Sequence, residues 1–240
     1  MKIIDIYNYL DEISPFELQE KWDNSGLLLG DLNEEVERVY LSIDVDGKLL
    51  DTMEENSLLI THHPIIFGGL KQLQFNQYPA HLIRKMVKKN ISNIAMHTNF
   101  DQTHLNEYVA TKVLGLNIVK KDGFVAYMEV DDTFDNFATK IAKAFELLHV
   151  RCVKVHENIK TVALTTGSGA SLMRSIEADC FLTGDIKYHD AMEAKTINLS
   201  MIDIGHYESE QFFGEILKTY LENLGLAVII SQSKNPFTYI

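Results

Sequence analysis

The segment SLLITHHP (57–64) joins a continuous apolar run to two adjacent histidines and a proline. An uninterrupted apolar run of this length is typical of a strand buried on both faces, as in parallel sheets covered by helices. Segments with apolar residues at helical spacing lie on either side, at GKLLDTMEEN (47–56) and around Leu82, Ile83 and Met86. The segment and its neighbours therefore predict an α/β fold.

The alternation of strand and helix continues toward both ends of the chain. Further strands are predicted at VERVYLSIDV (36–45), ISNIAMH (91–97), GFVAYMEV (123–130), VRCVKVH (150–156), KTVALTT (160–166), ADCFLTG (178–184), LSMIDIG (199–205) and LAVIIS (226–231). Further helices are predicted from Ile3 to a stop before Pro15, around Leu105 and Val109, from Thr133, from Ser171, around Ala191, and from Phe212 to Leu224. This order predicts mostly parallel or mixed sheets flanked by helices.

The composition excludes several classes of protein. The chain has 240 residues and a formal net charge of −12, which argues against a nucleic-acid binder, although a metal-lined cleft could still accept a phosphorylated small molecule. The apolar runs are too short to span a membrane, and the N-terminus lacks the apolar core of a signal peptide, so we expect a cytoplasmic protein. Cys152 and Cys180 each lie in an apolar run and are expected to be buried, reduced thiols.

Side chains that can bind metal cluster where the predicted strands end. They follow four strands: His62 and His63, His97 and Asp101, Asp185, and His206. Ligands of parallel α/β sheets bind just beyond the carboxyl ends of the strands, so these groups are expected to converge on one crevice.

Adjacent imidazoles at His62 and His63 are costly at the end of a buried strand unless their nitrogens find partners. Pro64 restricts His63 to extended backbone geometry, and adjacent side chains on an extended backbone point in opposite directions. The pair therefore suits two neighbouring ions better than one. A solvated turn with two incidental histidines is the alternative.

Two carboxylates have simpler alternative interpretations. Asp101 could be a metal ligand, with His97 in support, or it could be the N-cap of the following helix. Glu210 shares a helical face with His206 if the helix has begun by residue 207, which suits a joint metal site. Acidic residues in a first helical turn also complement the helix dipole, which is the alternative for Glu210.

Two glycine-containing segments also leave alternatives open. The turn Gly167-Ser168-Gly169 could present N–H groups to a phosphate, but it lacks the lysine and the length of a P-loop, and a tight turn is the simpler interpretation. The connection PIIFGGLKQLQFNQY (64–78) has the length of a lid or of a contact surface, and both roles fit.

Taken together, these motifs resemble those of the GTP cyclohydrolase I type 2 homologue family, the NIF-three-like dinuclear-metal proteins. The matching stretches are WDNSGLLLGD (22–31), ITHHPIIFGGL (60–70), HTNFD (97–101), FLTGDIKYHDA (181–191) and IGHYESE (204–210). They extend over nearly the whole chain. Some members of this family carry a large domain inserted mid-chain, and this sequence corresponds to the short form without it.

The resemblance implies two α/β lobes, which we place at residues 1–124 plus 211–240 and at residues 125–210, with two metal ions in the cleft between them. His62 and His63 would each bind one ion, Asp101 would join one of them, His206 would bind the other, and Glu210 would bridge both. Thr183, Gly184, Asp185 and His189 would line the cleft. The resemblance also implies a homohexamer.

Imidazole and carboxylate ligands suit Zn, Mn, Fe or Ni. Two such ions roughly 3.5–4 Å apart can lower the pKa of a bridging water and stabilise a developing oxyanion. Such a metal pair favours a metal-dependent hydrolase of a small molecule, and the resemblance implies that this could be a nucleotide, with GTP ring opening at C8 or phosphoester hydrolysis as the reaction. Asp185 and His189 are the candidate catalytic residues that would move protons. The alternative is a non-catalytic protein that binds metal for assembly or delivers it to a partner.

Overall fold

The computed structural model describes residues 1–231 and 234–238. The chain forms two compact units, one made of Met1–Phe100 with the described residues from Phe212 onward and one made of Asp101–Gln211. Within those described ranges, we find no helix with the length and apolar character needed to cross a membrane.

Strands and helices alternate along most of the chain. The strands are β1 (Gly26–Leu29), β2 (Arg38–Ser42), β3 (Ser57–Thr61), β4 (Ile91–Ala95), β5 (Ile118–Asp122), β6 (Val125–Thr133), β7 (Arg151–Val153), β8 (Asn158–Leu164), β9 (Cys180–Thr183), β10 (Ser200–Asp203) and β11 (Ala227–Ile230). The α-helices are α1 (Ile3–Ile13), α2 (Gly47–Thr52), α3 (Ala80–Lys88), α4 (Thr98–Phe100), α5 (Asn106–Tyr108), α6 (Phe134–Ala144), α7 (Tyr188–Thr196), α8 (His206–Glu210) and α9 (Phe213–Leu221). Segments Phe16–Leu18, Ala170–Ser175 and Glu222–Leu224 are 3₁₀-helical, and Asp101–Leu105 and Val109–Val113 are π-helical.

The sheet of the first unit has the strand order β1-β4-β3-β2-β11. Four of its strands are parallel to one another, and only β1 at the edge runs antiparallel. All five residues of β3 are buried, which explains its continuous apolar run. Leu50 of α2, Leu59 of β3 and Met86 of α3 share one core cluster. Burial of each such side chain stabilises the unit by about 1.5–3 kcal/mol.

The sheet of the second unit has the strand order β5-β6-β8-β9-β10-β7. Its strands β8, β9 and β10 are parallel to one another. β6 pairs antiparallel with β8, β7 pairs antiparallel with β10, and β5 pairs antiparallel with β6. Ala163, Phe181 and Met201 are register neighbours on the central strands β8, β9 and β10 and are completely buried. The hydroxyl of Thr133 caps α6 by accepting a hydrogen bond from the N–H of Asn136 at 3.4 Å. The central strands end together, and this places Thr183 and Asp203 at one edge.

These two sheets flanked by helices confirm the predicted α/β class with mixed sheets. The sequence does not predict β1 or β5, because a short edge strand carries little periodicity and four of the five residues of β5 are exposed. The segment predicted to be helical from Ser171 is a 3₁₀-helix that begins at Ala170.

The two cysteines differ in exposure. Cys180 on the central strand β9 is buried, as predicted, but the prediction is wrong for Cys152, which is exposed. Cys152 lies on β7, at the end of the strand order, where Arg151 is also exposed. An edge strand leaves part of its surface to solvent, and a short apolar run does not distinguish it from a central strand.

The N-terminal part of the first unit ends at Phe100, whereas the first lobe was placed at residues 1–124 plus 211–240. Segment 101–124 lies in the second unit because its contacts are made there. β5 pairs with β6, and the side-chain amide of Asn106 donates to the carbonyl of Phe124 at 3.0 Å. The side-chain oxygen of Asn106 also accepts a hydrogen bond from the N–H of Thr166 at 2.8 Å.

Candidate metal centre

His62 and His63 follow β3 at its carboxyl end. Their N–H groups donate to the carbonyl oxygens of Ser42 and Ile43, at the end of the neighbouring strand β2, at 3.1 and 2.9 Å. His62 is completely buried, and the side chain of His63 is 25% exposed. Nδ1 of His62 lies 2.9 Å from the carbonyl oxygen of Met96. Because a carbonyl only accepts hydrogen bonds, Nδ1 carries the proton of the neutral ring and Nε2 carries the lone pair.

The ring of His63 is oriented by a carboxylate. Its Nδ1 lies 2.8 Å from Oδ1 of Asp44, a residue that comes just after β2. An acceptor at Nδ1 assigns the proton to that nitrogen and makes Nε2 the metal-binding atom, as in many metal sites in which a carboxylate supports a histidine ligand. Asp44 was not among the residues predicted for the site, although its position near the end of a predicted strand was the available signal.

His97 lies within the same group of imidazoles. The nearest ring nitrogens of His62, His63 and His97 lie within 4.8 Å of one another, so the three could hold a metal ion. The ring centroid of His97 is 5.2 Å from that of His62 and 5.5 Å from that of His63. His97 was expected to support the ligands, and this geometry also places it among the candidate ligands.

Asp23 orients the ring of His97 and accepts a hydrogen bond from Thr98, the first residue of α4. Its Oδ1 lies 2.7 Å from Nδ1 of His97, and its Oδ2 accepts a hydrogen bond from the N–H of Thr98 at 3.1 Å. Burial by itself raises the pKa of Asp23, but the hydrogen bond and charge of His97 and the hydrogen bond of Thr98 outweigh it and hold the pKa well below its usual range. The contact of Asp23 with His97 was not predicted, although Asp23 lies in the stretch WDNSGLLLGD (22–31).

Asp101 is not an N-cap. It follows α4 directly and opens the π-helical turn Asp101–Leu105, so the helix has already begun three residues earlier. The capping role belongs to Asp23, which accepts from Thr98. Asp101 is 7% exposed, and its Oδ1 accepts a hydrogen bond from the hydroxyl of Thr166 at 3.1 Å. That contact lies within the second unit and keeps the carboxylate in one orientation.

In the second unit, α8 brings His206 and Glu210 together. The helix begins at His206, so the two side chains share one face, and Nε2 of His206 lies 3.2 Å from Oε2 of Glu210. Nδ1 of the same ring lies 2.6 Å from Oδ2 of Asp185. A neutral imidazole has one proton, so a ring between two carboxylates requires either a second proton or a cation on the Glu210 side.

Glycines leave room for these side chains. Gly167 has a φ of +62°, and a Cβ atom there would lie 2.1 Å from Oε1 of Glu210. A Cβ atom on Gly184 would lie 2.7 Å from the backbone nitrogen of His206. The sequence marked Gly167 as a turn residue, but its contact with Glu210 comes from the tertiary structure.

The N–H groups of Gly167 and Gly169 in the glycine turn already have acceptors. Gly167 donates to the hydroxyl of Ser209 at 2.9 Å, and Gly169 donates to the hydroxyl of Thr183 at 2.8 Å. A phosphate would have to displace both hydroxyl groups. The structure therefore favours the tight turn over a phosphate cradle at Gly167-Ser168-Gly169.

The two candidate catalytic residues differ in their surroundings. Asp185 is exposed, has a φ of +56°, and orients His206. His189 lies in the first turn of α7, is exposed, and has its ring 5.3 Å from that of Tyr188 in a T-shaped contact. Asp185 thus contacts the predicted metal ligand His206, whereas His189 contacts Tyr188, its neighbour in sequence.

The donor set fits a transition metal. It consists of imidazole nitrogens and carboxylate oxygens, which suit Zn, Mn, Fe or Ni. His62, His63 and His206 each have an oxygen acceptor at Nδ1, which makes Nε2 the metal-binding atom of the neutral ring in all three. This repeated arrangement is what a metal site requires and what incidental turn histidines do not need.

The chain is similar to known proteins over nearly its whole length. The chain is 49% identical over 242 residues to a GTP cyclohydrolase 1 type 2 homolog of Campylobacter jejuni, with 100% of both chains covered. It is 40% identical to a GTP cyclohydrolase 1 type 2 of Helicobacter pylori strain J99, with 98% of both chains covered.

A solved structure shows the same fold. A hypothetical protein of Staphylococcus aureus superposes with a TM-score of 0.87 at 29% identity, over 100% of this chain and 99% of that chain. Residues 1–236 match the family described as Duf34/NIF3 (NGG1p interacting factor 3). The chain, with its two mixed sheets and its histidine and carboxylate groups at strand ends, therefore belongs to the Duf34/NIF3 family.

Proposed function

We propose that this protein is a divalent-metal-dependent hydrolase with two ions bound by His62, His63, Asp101, His206 and Glu210. The observation that carries the proposal is the orientation of the three histidines. Each has Nδ1 within 2.6–2.9 Å of an oxygen acceptor, which places the proton of the neutral ring on Nδ1 and makes Nε2 the nitrogen that can bind metal. The assignment of ligands to individual ions rests on the family resemblance.

Divalent ions in such a site supply Lewis-acid polarisation of the substrate and a water of lowered pKa. The residues of the chain prepare the site for them. Asp185 keeps a proton on Nδ1 of His206, and Asp44 does the same for His63; Asp185 is also proposed to carry protons during the reaction. Thr166 holds the carboxylate of Asp101, and Gly167 gives Glu210 the room it needs. His189 is proposed as a second proton carrier on the basis of its sequence motif.

We propose a small molecule, and specifically a nucleotide, as the substrate, with GTP ring opening or phosphoester hydrolysis as the reaction. The names of the Campylobacter and Helicobacter relatives support the first reaction, and the donor chemistry supports both. The net charge of −12 disfavours a nucleic acid as the substrate. On the family resemblance we also propose a cytoplasmic homohexamer, which light scattering of the purified protein would test.

The experiment compares metal content with turnover. Purified protein is stripped, reconstituted with Zn, Mn, Fe or Ni, and analysed for bound metal before assay against GTP and a panel of phosphoesters. Glu210→Gln is expected to lower both metal content and turnover. Glu129→Gln, which changes an exposed glutamate on β6, is the matched control and is expected to change neither.

The outcomes separate the two classes of function. Protein that binds no transition metal after reconstitution would overturn the metal site. Protein that binds metal but hydrolyses none of the substrates would overturn the hydrolase and leave metal assembly or delivery as the function. His63→Ala, with exposed His81→Ala as its control, repeats the test in the first unit.

A further inference from the structure

Trp22 lies exposed at the edge of the imidazole group of the first unit. It is the single tryptophan of the chain, and 56% of its surface is exposed. Phe67 beside it is 58% exposed, with ring centroids 5.8 Å apart and ring planes at 53°. Two large aromatic side chains exposed side by side are characteristic of a binding surface.

Neighbouring groups position the indole. The ring of His97 makes T-shaped contacts with Trp22 at 6.1 Å and with Phe67 at 6.4 Å. The side-chain amide of Asn24 donates to the carbonyl of Ile66 at 2.6 Å, which joins the segment carrying Trp22 to the segment carrying Phe67. Trp22 is therefore oriented before a ligand arrives, and little conformational entropy remains to be lost on binding.

The position of Trp22 relates it to the candidate ligands. His97 contacts Trp22 and also lies 5.2 and 5.5 Å from the rings of His62 and His63. A molecule stacked on Trp22 would therefore lie beside His97, which neighbours the candidate metal ligands His62 and His63. That arrangement is compatible with a substrate that has a ring at one end and a reacting group at the other.

The geometry also fixes how a ring would bind. Stacked rings need about 3.5–4 Å between their planes, so a ring inserted between Trp22 and Phe67 would require roughly 7 Å between them. Their centroids are 5.8 Å apart and their planes are tilted, which excludes such a sandwich. The solvent-exposed face of Trp22 remains as the stacking surface, with Phe67 as its support.

We propose that Trp22 is a stacking platform for the planar heteroaromatic ring of the substrate and that Phe67 is a positioning residue for the indole. The proposal rests on the proposed function, because it names the class of substrate that the same site takes. Stacking on aromatic side chains recognises any base by its π-face, so the platform selects for a ring and not for one particular base.

The test uses the fluorescence of Trp22, which is unambiguous because the chain has no other tryptophan. The full-length metal-loaded protein is titrated with GMP, with UMP and with ribose 5-phosphate, which has the sugar and phosphate but no ring. We expect saturable quenching by both nucleotides and none by ribose 5-phosphate. Equilibrium dialysis then measures GMP binding to the variants independently of fluorescence.

Trp22→Ala is expected to weaken GMP binding by about 10- to 100-fold, the range that loss of one base–aromatic stack gives. Trp22→Phe is expected to restore most of it, and Phe67→Ala is expected to cost less than Trp22→Ala. The matched control is Phe75→Ala, which changes an exposed phenylalanine of segment 64–78 that lies under Arg84. Circular dichroism verifies that all variants fold.

Absence of quenching by either nucleotide, equal binding of ribose 5-phosphate, or unchanged GMP binding in Trp22→Ala would overturn the platform. These results are distinguishable from failure of the proposed function. If the parent binds no nucleotide but hydrolyses a ring-free phosphoester, and Trp22→Ala hydrolyses that phosphoester at the same rate, only the platform is rejected. Ring-dependent binding without any turnover rejects only the hydrolase.

Discussion

Nδ1 of His206 lies 2.6 Å from Oδ2 of Asp185, and this contact determines which nitrogen of the ring can bind metal. Asp185 holds the proton at Nδ1 and directs Nε2 toward Glu210, whose Oε2 lies 3.2 Å away. The backbone of Asp185 has a φ of +56°, a conformation that non-glycine residues adopt infrequently. Asp185 adopts this conformation at the position from which its carboxylate contacts the candidate ligand His206.

Removal of that carboxylate is expected to weaken metal binding without removing a ligand. We expect Asp185→Ala to lower the affinity for Zn by about 10- to 100-fold, because the ring loses its orientation and its preferred tautomer. Competition with a fluorescent chelator measures the dissociation constant. Asp131→Ala, at an exposed aspartate of β6, is the control, and equal affinities in the two variants would contradict the assigned role of Asp185.

A methyl group at Gly167 is expected to displace Glu210. Gly167→Ala places Cβ 2.1 Å from Oε1 of Glu210 at a φ of +62°, so we expect loss of bound metal as well as loss of stability. Gly123→Ala shares the positive φ, at +54°, but its Cβ would have nothing within 4 Å. We therefore expect Gly123→Ala to lower the free energy of unfolding only by the backbone strain, about 1–2 kcal/mol, and to bind as much metal as the parent.

Metal content and unfolding curves of the two alanine variants separate the clash from the strain. If Gly167→Ala retains as much metal as Gly123→Ala, the carboxylate of Glu210 can relocate without loss and the close approach has no functional meaning.

The pair formed by Asp23 and His97 predicts a dependence of stability on pH. The pKa of Asp23 is lower in the folded protein than in the unfolded chain, where it is about 3.9. The resulting stabilisation is therefore fully present above that value and is lost as the pH falls from about 4 toward the folded-state pKa. We expect Asp23→Asn to be less stable than the parent near neutral pH by about 1.5–3 kcal/mol.

The difference between Asp23→Asn and the parent should shrink as the pH falls below 4. Free energies of unfolding measured with urea at a series of pH values test this expectation. A difference that stays constant between pH 6 and pH 3 would show that the charge of Asp23 contributes no stability.

The two thiols are expected to react differently. Cys152 is exposed and Cys180 is buried on a central strand, and burial raises the pKa of Cys180 far above that of an ordinary thiol. Titration of the native protein with a thiol reagent should modify Cys152 alone, and both thiols should react in denaturant. Reaction of the Cys152→Ser variant under native conditions would contradict this assignment.

Much of the fold could be predicted because buried strands and amphipathic helices have local signatures. SLLIT before His62 has an uninterrupted apolar centre, Leu58–Ile60, and all five residues of β3 are buried. Thr133 was predicted to begin a helix and does cap α6. The edge strands of the second sheet were less predictable. β5 is largely exposed, and the short apolar run of β7 around Cys152 does not distinguish it from a core strand.

The sequence by itself determined that metal-capable residues would stand at the ends of β3, β4, β9 and β10, because a buried strand followed by polar residues is a local pattern. Only the tertiary structure decided which acids serve which imidazoles. Asp44 reaches His63 from 19 residues away, Asp185 reaches His206 from 21, and Asp23 reaches His97 from 74. Such contacts depend on how parallel strands align in the sheet, and no periodicity within one segment encodes that alignment.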